Sequence, residues 1–389
     1  MKRADSVMFQ RFANCLIFWI GLGLVLASAT VATHLCPTTV DIAFKEAHHL
    51  HTKYYNYTNG RYNGGSVWTD ANALETVHEL MLLTKRTDFD GVADNSYIGR
   101  HALNTSTDWQ AFTGGFIDDA GWVVLAIWTM ADYKKFRGED DVDTFLASAG
   151  QLYDKIAANW DDTCGGGVWW TTDHGYKNAI TNELFLTLSA RGYLRTGNQT
   201  YLENAKKTWA WLESSGMRPS TGLYNDGLVF GTCLNNNGTT WTYNQGVIAS
   251  GLAALAVATG NHTLFHQAEI TLDATIKRLT ASNSVLKESC DDALANGTVC
   301  DIDQQTFKGI WTKHLQYYLT SAANPLTTAK YGPFLGLQSA GVLRYATNAS
   351  LDIGSVWYGK NEGGSVYNVK SLPSGIAAHV AAAQYGPCL

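Results

Sequence analysis

Two kinds of helical pattern alternate along the chain. One kind places apolar side chains on a single face at helical period, and the other is apolar nearly all round. The one-sided segments are residues 142–160, 201–212 and 264–279. The all-round segments are residues 120–133 and 245–259, followed by the somewhat more polar residues 178–194 and 307–319. Because a helix that is apolar on every face must be buried on every face, the pattern predicts outer amphipathic helices alternating with inner buried ones.

The predicted inner helices recur 50 to 66 residues apart, and Gly-rich or aromatic loops precede most of them. Their starts lie near Trp68, Asp118, Asn178, Asn244, Phe307 and Leu372. Six helix pairs at this spacing predict an all-α toroid of twelve helices, an (α/α)6 barrel, formed by residues 33–389 as one domain. The third helix, around residues 96–103, has the weakest pattern. In such a ring the inner helices all begin at one end, so we expect their preceding loops to build one cleft.

The composition narrows the classes of partner. Hydrophobic residues make up 46% of the chain and charged residues 16%, which excludes disorder and coiled coil. A net charge of −6 without a basic block argues against nucleic acid. Thirteen Trp and nineteen Tyr exceed what packing alone requires. Aromatic faces bind sugars or bases, and the acidic balance favours sugars.

The first 32 residues have the order of a secretory signal peptide. Basic residues precede an apolar run over residues 15–27, and the small residues Ala27-Ser28-Ala29 resemble a cleavage site. An uncleaved anchor is the alternative, since residues 15–32 carry no charge and could just span a bilayer. Residues 383–389 form no hydrophobic tail, so we expect no GPI anchor and no stable membrane association after cleavage.

Six cysteines remain after removal of the signal segment, an even number typical of disulfides in a secreted protein. Fifteen pairings are possible, and Cys290 with Cys300 is the predicted local pair. Seven N-x-[ST] sequons fit a glycosylated secreted protein. The chain contains no C-x-x-C spacing and no G-x-S-x-G elbow, so we expect neither a metal nor a cofactor.

Asp118 and Asp119 open the most apolar predicted inner helix. Glycosidic bond cleavage uses two carboxyl groups, and adjacent residues easily hold them about 5–5.5 Å apart, the separation of retaining enzymes. A helix N-terminus stabilises the ionised form of one carboxylate. The negative charge of that carboxylate raises the pKa of the neighbouring carboxyl group. The alternative is ordinary capping, because Asp is common at helix starts.

Other candidate substrate contacts lie around the same predicted cleft, several of them at starts of inner helices. They are Trp68, Asn178, Asp226, Tyr243, Asn244, Gln245, Phe307 and Lys308. Each has a simpler explanation as a helix cap, a core aromatic or a solvated charge. The predicted fold favours a shared role, because it brings these segments together.

Six motifs together resemble glycoside hydrolase family 76, and the resemblance covers about residues 54–385. They are Phe116-Ile117-Asp118-Asp119-Ala120-Gly121-Trp122, Cys164-Gly165-Gly166-Gly167-Val168-Trp169-Trp170, Tyr176-Lys177-Asn178-Ala179-Ile180, Tyr224-Asn225-Asp226-Gly227, Trp241-Thr242-Tyr243-Asn244-Gln245-Gly246 and Phe307-Lys308-Gly309-Ile310. The resemblance implies an (α/α)6 barrel that cleaves α-1,6-linked mannose backbones with retention and without a metal. It implies Asp118 as nucleophile and Asp119 as general acid/base, with Asp226 holding sugar in the cleft and Trp122, Asn178 and Tyr243 in its walls.

The resulting prediction is a secreted, monomeric, retaining endo-α-1,6-mannanase resembling secreted fungal members of this family. Two alternatives remain open. One is a cell-wall transglycosidase acting on the mannan core of GPI-linked mannoproteins, which would use the same two aspartates. The other is a non-catalytic mannan-binding protein on the same barrel.

Overall fold

The structure is a computed structural model that describes residues 35–297 and 299–388. The predicted signal peptide over residues 1–32, together with its alternative as an anchor, lies outside these residues. Within the described ranges, no helix combines the length and the apolarity that crossing a membrane requires.

Helices dominate the described chain. In order they are α1 Pro37–Tyr54, α2 Val67–Thr84, α3 Val92–Asn95, α4 Tyr97–Leu103, α5 Trp109–Phe112, α6 Ile117–Arg137, α7 Val142–Ala158, α8 Ala179–Thr196, α9 Gln199–Ser214, α10 Thr242–Thr259, α11 Thr263–Arg278, α12 Phe307–Ala322, α13 Pro325–Gly341 and α14 Ser371–Tyr385. A short antiparallel pair, β1 Tyr55–Asn56 and β2 Arg61–Tyr62, follows α1. Short 3-10 turns at Thr163–Gly165 and Gln304–Thr306 and a π turn at Val342–Ala346 complete the regular structure.

Six helices form a closed inner ring. Going round it, α2 packs on α6, α6 on α8, α8 on α10, α10 on α12, α12 on α14, and α14 returns to α2. The outer layer consists of α1, α4, α7, α9, α11 and α13, each packed against inner helices. This arrangement confirms the predicted (α/α)6 barrel.

The predicted inner helices begin within about two residues of their expected positions. Their observed first residues are Val67, Ile117, Ala179, Thr242, Phe307 and Ser371. The weakly patterned third helix exists as the seven-residue α4. The predicted one-sided helix over residues 142–160 ends at Ala158. An inner helix is buried on every face and an outer helix on only one. The periodicity of apolar residues therefore distinguishes the two layers.

Glycine lets neighbouring inner helices approach closely. A Cβ atom on Gly309 of α12 would lie 2.4 Å from the Cα atom of Ser374 on α14. A Cβ atom on Gly246 of α10 would lie 2.8 Å from the Cα atom of Trp311 on α12. These positions therefore bring backbones together in a way that a larger side chain would prevent.

Three disulfides link the described cysteines. The predicted local pair Cys290–Cys300 is confirmed. Cys164 pairs with Cys233, which ties two loops at the cleft end of the barrel. Cys36, directly before α1, pairs with Cys388, which follows α14. Because α1 packs on α14, this last bridge fastens the beginning of the barrel to its end.

Candidate active site

A cleft of about 430 Å³ opens at the end of the ring where the inner helices begin. The predicted candidates that line it are Trp68, Asp118, Asp119, Trp122, Asn178, Asp226, Tyr243 and Phe307. Ser66, Phe116, Trp170, Tyr176, Ile302, Asp303 and Lys370 complete its lining. The expectation that loops before the inner helices build one cleft is therefore met.

Backbone hydrogen bonds join the loops that carry these side chains. The Ile117 N–H donates to the Trp170 carbonyl at 2.8 Å, which places the Trp170 ring beside the start of α6. The Ala179 N–H donates to the Asp226 carbonyl at 2.8 Å, which brings the Asp226 loop to the start of α8. The cleft wall is thus one hydrogen-bonded surface built from separate loops.

Asp118 and Asp119 lie in the first turn of α6, and Phe116 is the N-cap residue, without a side-chain capping bond. The Asp118 carboxylate accepts hydrogen bonds from the Asp119 backbone N–H and the Trp170 indole N–H, both at 3.0 Å. Among the described residues, no side chain donates a hydrogen bond to the Asp119 carboxyl group. Neither aspartate is the N-cap residue, and both lie in the first turn, where an acidic side chain also stabilises the helix.

The two carboxyl groups have different electrostatic surroundings. Burial raises the pKa of both. For Asp118, the hydrogen bonds from Trp170 and from the backbone oppose this rise in pKa. For Asp119, the charge of Asp118 raises the pKa further, and Lys370 opposes this rise. The Asp303 charge raises the pKa of both carboxyl groups. Asp118 is therefore the first of the pair to ionise, and Asp119 keeps its proton to higher pH.

Aromatic rings form much of the cleft wall. The rings of Tyr243 and Phe307 are stacked, with centroids 3.8 Å apart. The Trp68 and Trp122 rings lie with centroids 6.1 Å apart. Flat apolar faces beside buried carboxyl groups suit a ligand with one apolar face and polar edges, such as a pyranose ring.

The Asp226 carboxylate is held in place by a neighbouring loop. It accepts a hydrogen bond from the Tyr176 hydroxyl at 2.6 Å, and this hydroxyl accepts one from the Asn236 side chain at 2.8 Å. Burial raises the pKa of Asp226, while the Tyr176 hydrogen bond opposes that rise. Asp226 is thus a fixed acceptor at the cleft surface.

Three predicted contact residues do not line the cleft. Asn244 is fully buried behind it. The Gln245 amide bonds both the N–H and the carbonyl of Tyr224, so it holds the loop that carries Asp226. The Lys308 ammonium donates to the buried Asp291 carboxylate at 2.6 Å. Gln245 and Lys308 therefore have structural roles in place of their predicted sugar contacts, whereas Asn244 lies outside the cleft lining.

The reason for this difference is helical geometry. Each residue along a helix turns the side-chain direction by about 100°, so the residue that follows a cleft residue can face another helix instead. Tyr243 and Phe307 face the cleft, whereas Asn244 and Lys308 turn into the barrel wall.

Two charged cleft residues were missing from the predicted site, Asp303 and Lys370. A single charge in a loop has no distinctive pattern of its own. Position could have indicated them, because Lys370 directly precedes α14 and Asp303 directly precedes the 3-10 turn before α12. The same reasoning applies to Ser66, which directly precedes α2.

The fold and the carboxyl pair are those of helical-barrel glycoside hydrolases. The profile of Glycosyl hydrolase family 76 matches residues 36–383, and the chain belongs to this family.

Curated relatives are fungal. The chain is 28% identical over 284 residues to the mannan endo-1,6-alpha-mannosidase DCW1 of Eremothecium gossypii, an alignment covering 69% of this chain and 61% of the relative. It is 32% identical over 233 residues to the protein of the same name from Candida glabrata, covering 57% of this chain and 49% of the relative. The chain thus spans about half to three fifths of these relatives' length.

Solved structures share the fold. The alpha-1,6-mannanase GH76A from Salegentibacter sp. HEL1_6 superposes with a TM-score of 0.75 at 21% identity, covering 89% of this chain and 99% of that one. Dfg5 from Chaetomium thermophilum, in complex with glucosamine, also gives a TM-score of 0.75, at 20% identity and with 90% and 91% coverage.

Proposed function

We propose that the protein is a retaining endo-α-1,6-mannanase, with Asp118 as nucleophile and Asp119 as general acid/base. The observation that carries the proposal is the adjacent carboxyl pair at the start of α6. The Asp118 carboxylate accepts a hydrogen bond from Trp170, whereas no side chain in the described part of the chain donates to Asp119. This difference suits the ionised nucleophile and the protonated acid that a retaining glycosidase needs.

The reaction would proceed in two steps. In the first, Asp119 gives its proton to the glycosidic oxygen while the Asp118 carboxylate bonds to the anomeric carbon, releasing the leaving sugar. In the second, ionised Asp119 takes a proton from water, whose oxygen bonds to the anomeric carbon and releases Asp118 as a carboxylate. Two inversions give net retention.

The relatives support α-1,6-mannan as substrate. Those described above are named mannan endo-1,6-alpha-mannosidases, and one neighbouring structure is an inactive variant, with two adjacent aspartates replaced, in complex with alpha-1,6-mannotriose. Asp118 and Asp119 are an adjacent pair of the same kind. Asp226 and the rings of Trp122 and Tyr243 would then contact the sugar in the cleft.

We further propose an extracellular location for residues 33–389, acting as a monomeric catalytic domain after removal of the signal peptide. Three disulfides are typical of proteins exposed to an oxidising compartment. Five sequon asparagines are exposed and could carry glycans: Asn104, Asn198, Asn237, Asn261 and Asn296.

Incubation with linear α-1,6-mannotetraose, followed by mass spectrometry of the products, tests the activity. Shorter oligosaccharides support hydrolysis. Products longer than the substrate would instead support transglycosylation, because a sugar hydroxyl can replace water in the second step. Binding without any product would support the mannan-binding alternative, and neither binding nor product would contradict the substrate assignment.

A further inference from the structure

The lining of the cleft carries four carboxyl groups and one cation. The carboxyl groups belong to Asp118, Asp119, Asp226 and Asp303, and the cation is the Lys370 ammonium. A single cation among several carboxylates has a large influence on which of them holds a proton.

Lys370 and Asp303 form an ion pair between two walls of the cleft. The Lys370 Nζ atom donates to Oδ1 of Asp303 at 3.5 Å. Lys370 stands at the start of α14, whereas Asp303 lies in the loop before α12. A second bond joins the same two loops, since the Asn368 amide donates to Oε1 of Gln305 at 2.6 Å. The position of the pair is therefore fixed from both sides.

The two partners differ in their exposure to solvent. The Lys370 side chain is 3% exposed, and the Asp303 side chain is 52% exposed. Water screens an exposed charge more strongly than a buried one, so Asp303 neutralises the field of Lys370 incompletely. Both charges act on the nearby Asp119 carboxyl, in opposite directions.

We propose that Lys370 and Asp303 are electrostatic positioning residues for Asp119, an inference that rests on the proposed retaining reaction. The Lys370 ammonium favours the ionised Asp119 that must accept a proton from water in the second step. The Asp303 carboxylate favours the protonated Asp119 that must donate in the first step. The pair thus balances the two protonation states that one residue has to alternate between.

Other ionisable groups surround this end of the barrel. In the cleft they are Asp118, Tyr176, Asp226 and Tyr243, and on helices packed against α6 they include Asp70 on α2, His101 on α4, Lys155 on α7 and Glu183 on α8. All of them are retained in the variants described next. The Asp303 charge also raises the pKa of Asp118, and the Lys370 charge lowers the pKa of Asp70, so only the alkaline limb is used to report on Asp119.

The test compares pH profiles of kcat/KM for Lys370→Met, Asp303→Asn and the charge-conserving control Lys370→Arg, with α-1,6-mannotetraose as substrate. The alkaline limb reports loss of the proton from Asp119. It should move to higher pH in Lys370→Met and to lower pH in Asp303→Asn, each by roughly half a pH unit or more. It should stay near the wild-type position in Lys370→Arg.

A purely structural role for the ion pair predicts a different pattern. Loosened loops would reduce the rate at every pH in both variants without moving the limbs apart. Limbs that stay in place, or that move in the same direction, would overturn the inference. If the wild-type protein cleaves no α-1,6-mannoside, the proposed function fails, and titration of the ¹³C-labelled Asp119 carboxyl in the same variants still decides the electrostatic effect.

Discussion

At the scale of single residues, one indole group contributes to the difference between two chemically identical side chains. The Trp170 N–H donates to Asp118, and the described residues offer no matching side-chain donor to Asp119. The loop that carries Trp170 is held by its backbone bond to Ile117, next to the pair. A residue more than fifty positions away in the chain thus contributes to the difference between the proposed nucleophile and the proposed acid.

Replacing Trp170 by Phe should change the pH dependence. The lost hydrogen bond lowers the pKa of Asp118 in the wild type, so the variant's Asp118 should have a higher pKa. Because the nucleophile must be ionised, the acid limb of the kcat/KM profile should move to higher pH. Trp169→Phe is the matched control, since the Trp169 indole donates to Asp161 instead. An acid limb that moves equally in both variants would contradict this role.

Asp119→Asn should reduce the rate of α-1,6-mannotetraose cleavage by a factor of about 10²–10⁴, the usual contribution of general acid–base catalysis. Binding should change little, because asparagine conserves shape. Initial rates and calorimetric titration measure the two effects separately. Asp154→Asn, an exposed position on α7, is the control and should keep wild-type activity. Full turnover by both Asp118→Asn and Asp119→Asn would refute the site assignment.

At the scale of helices, most of the fold could be predicted from the sequence, because the two layers have different burial requirements. The site was predictable only in part. Helix starts placed Trp68, Asn178 and Phe307 in the lining of the cleft, but sequence position does not say which way a side chain turns. Asp303 and Lys370 were missed since an isolated loop charge is usually solvated, and only the closed ring places them beside Asp119.

Because inner helices approach closely at Gly309, we expect a substitution there to change the free energy of unfolding more unfavourably than one at an uncrowded glycine. Gly309→Ala should destabilise the barrel by about 1–3 kcal/mol, since the added Cβ atom would overlap the α14 backbone. Gly150→Ala on α7 is the matched control, because its Cβ atom would meet nothing within 4 Å. This control should stabilise the protein by about 0.5–1 kcal/mol. Urea unfolding measures both, and equal effects would contradict the packing argument.

At the scale of the whole molecule, the barrel is a ring whose two ends meet at α1 and α14. The Cys36–Cys388 bridge spans 352 residues of chain, whereas Cys290–Cys300 spans 10. In the chain-entropy account, a disulfide that closes a longer loop restricts the unfolded chain more. The longer bridge therefore holds the ring closed and also restricts the conformations of the unfolded chain.

Removing the long bridge should cost more stability than removing the short one. We expect Cys36→Ala/Cys388→Ala to lower the free energy of unfolding by about 2–5 kcal/mol. Cys290→Ala/Cys300→Ala, the comparison variant, should lower it by less. Urea unfolding of both double variants is the measurement, and a larger loss for the short bridge would be inconsistent with this account.

The proposed function requires two adjacent aspartates to cleave an α-mannosidic bond through a glycosyl-enzyme. Proton NMR of the first products from α-1,6-mannotetraose, recorded before mutarotation, tests it most directly. The account predicts that the new reducing end appears first as the α-anomer, and that Asp118→Asn yields no such signal. A β-anomer as the first product would contradict the retaining mechanism and the roles of Asp118 and Asp119.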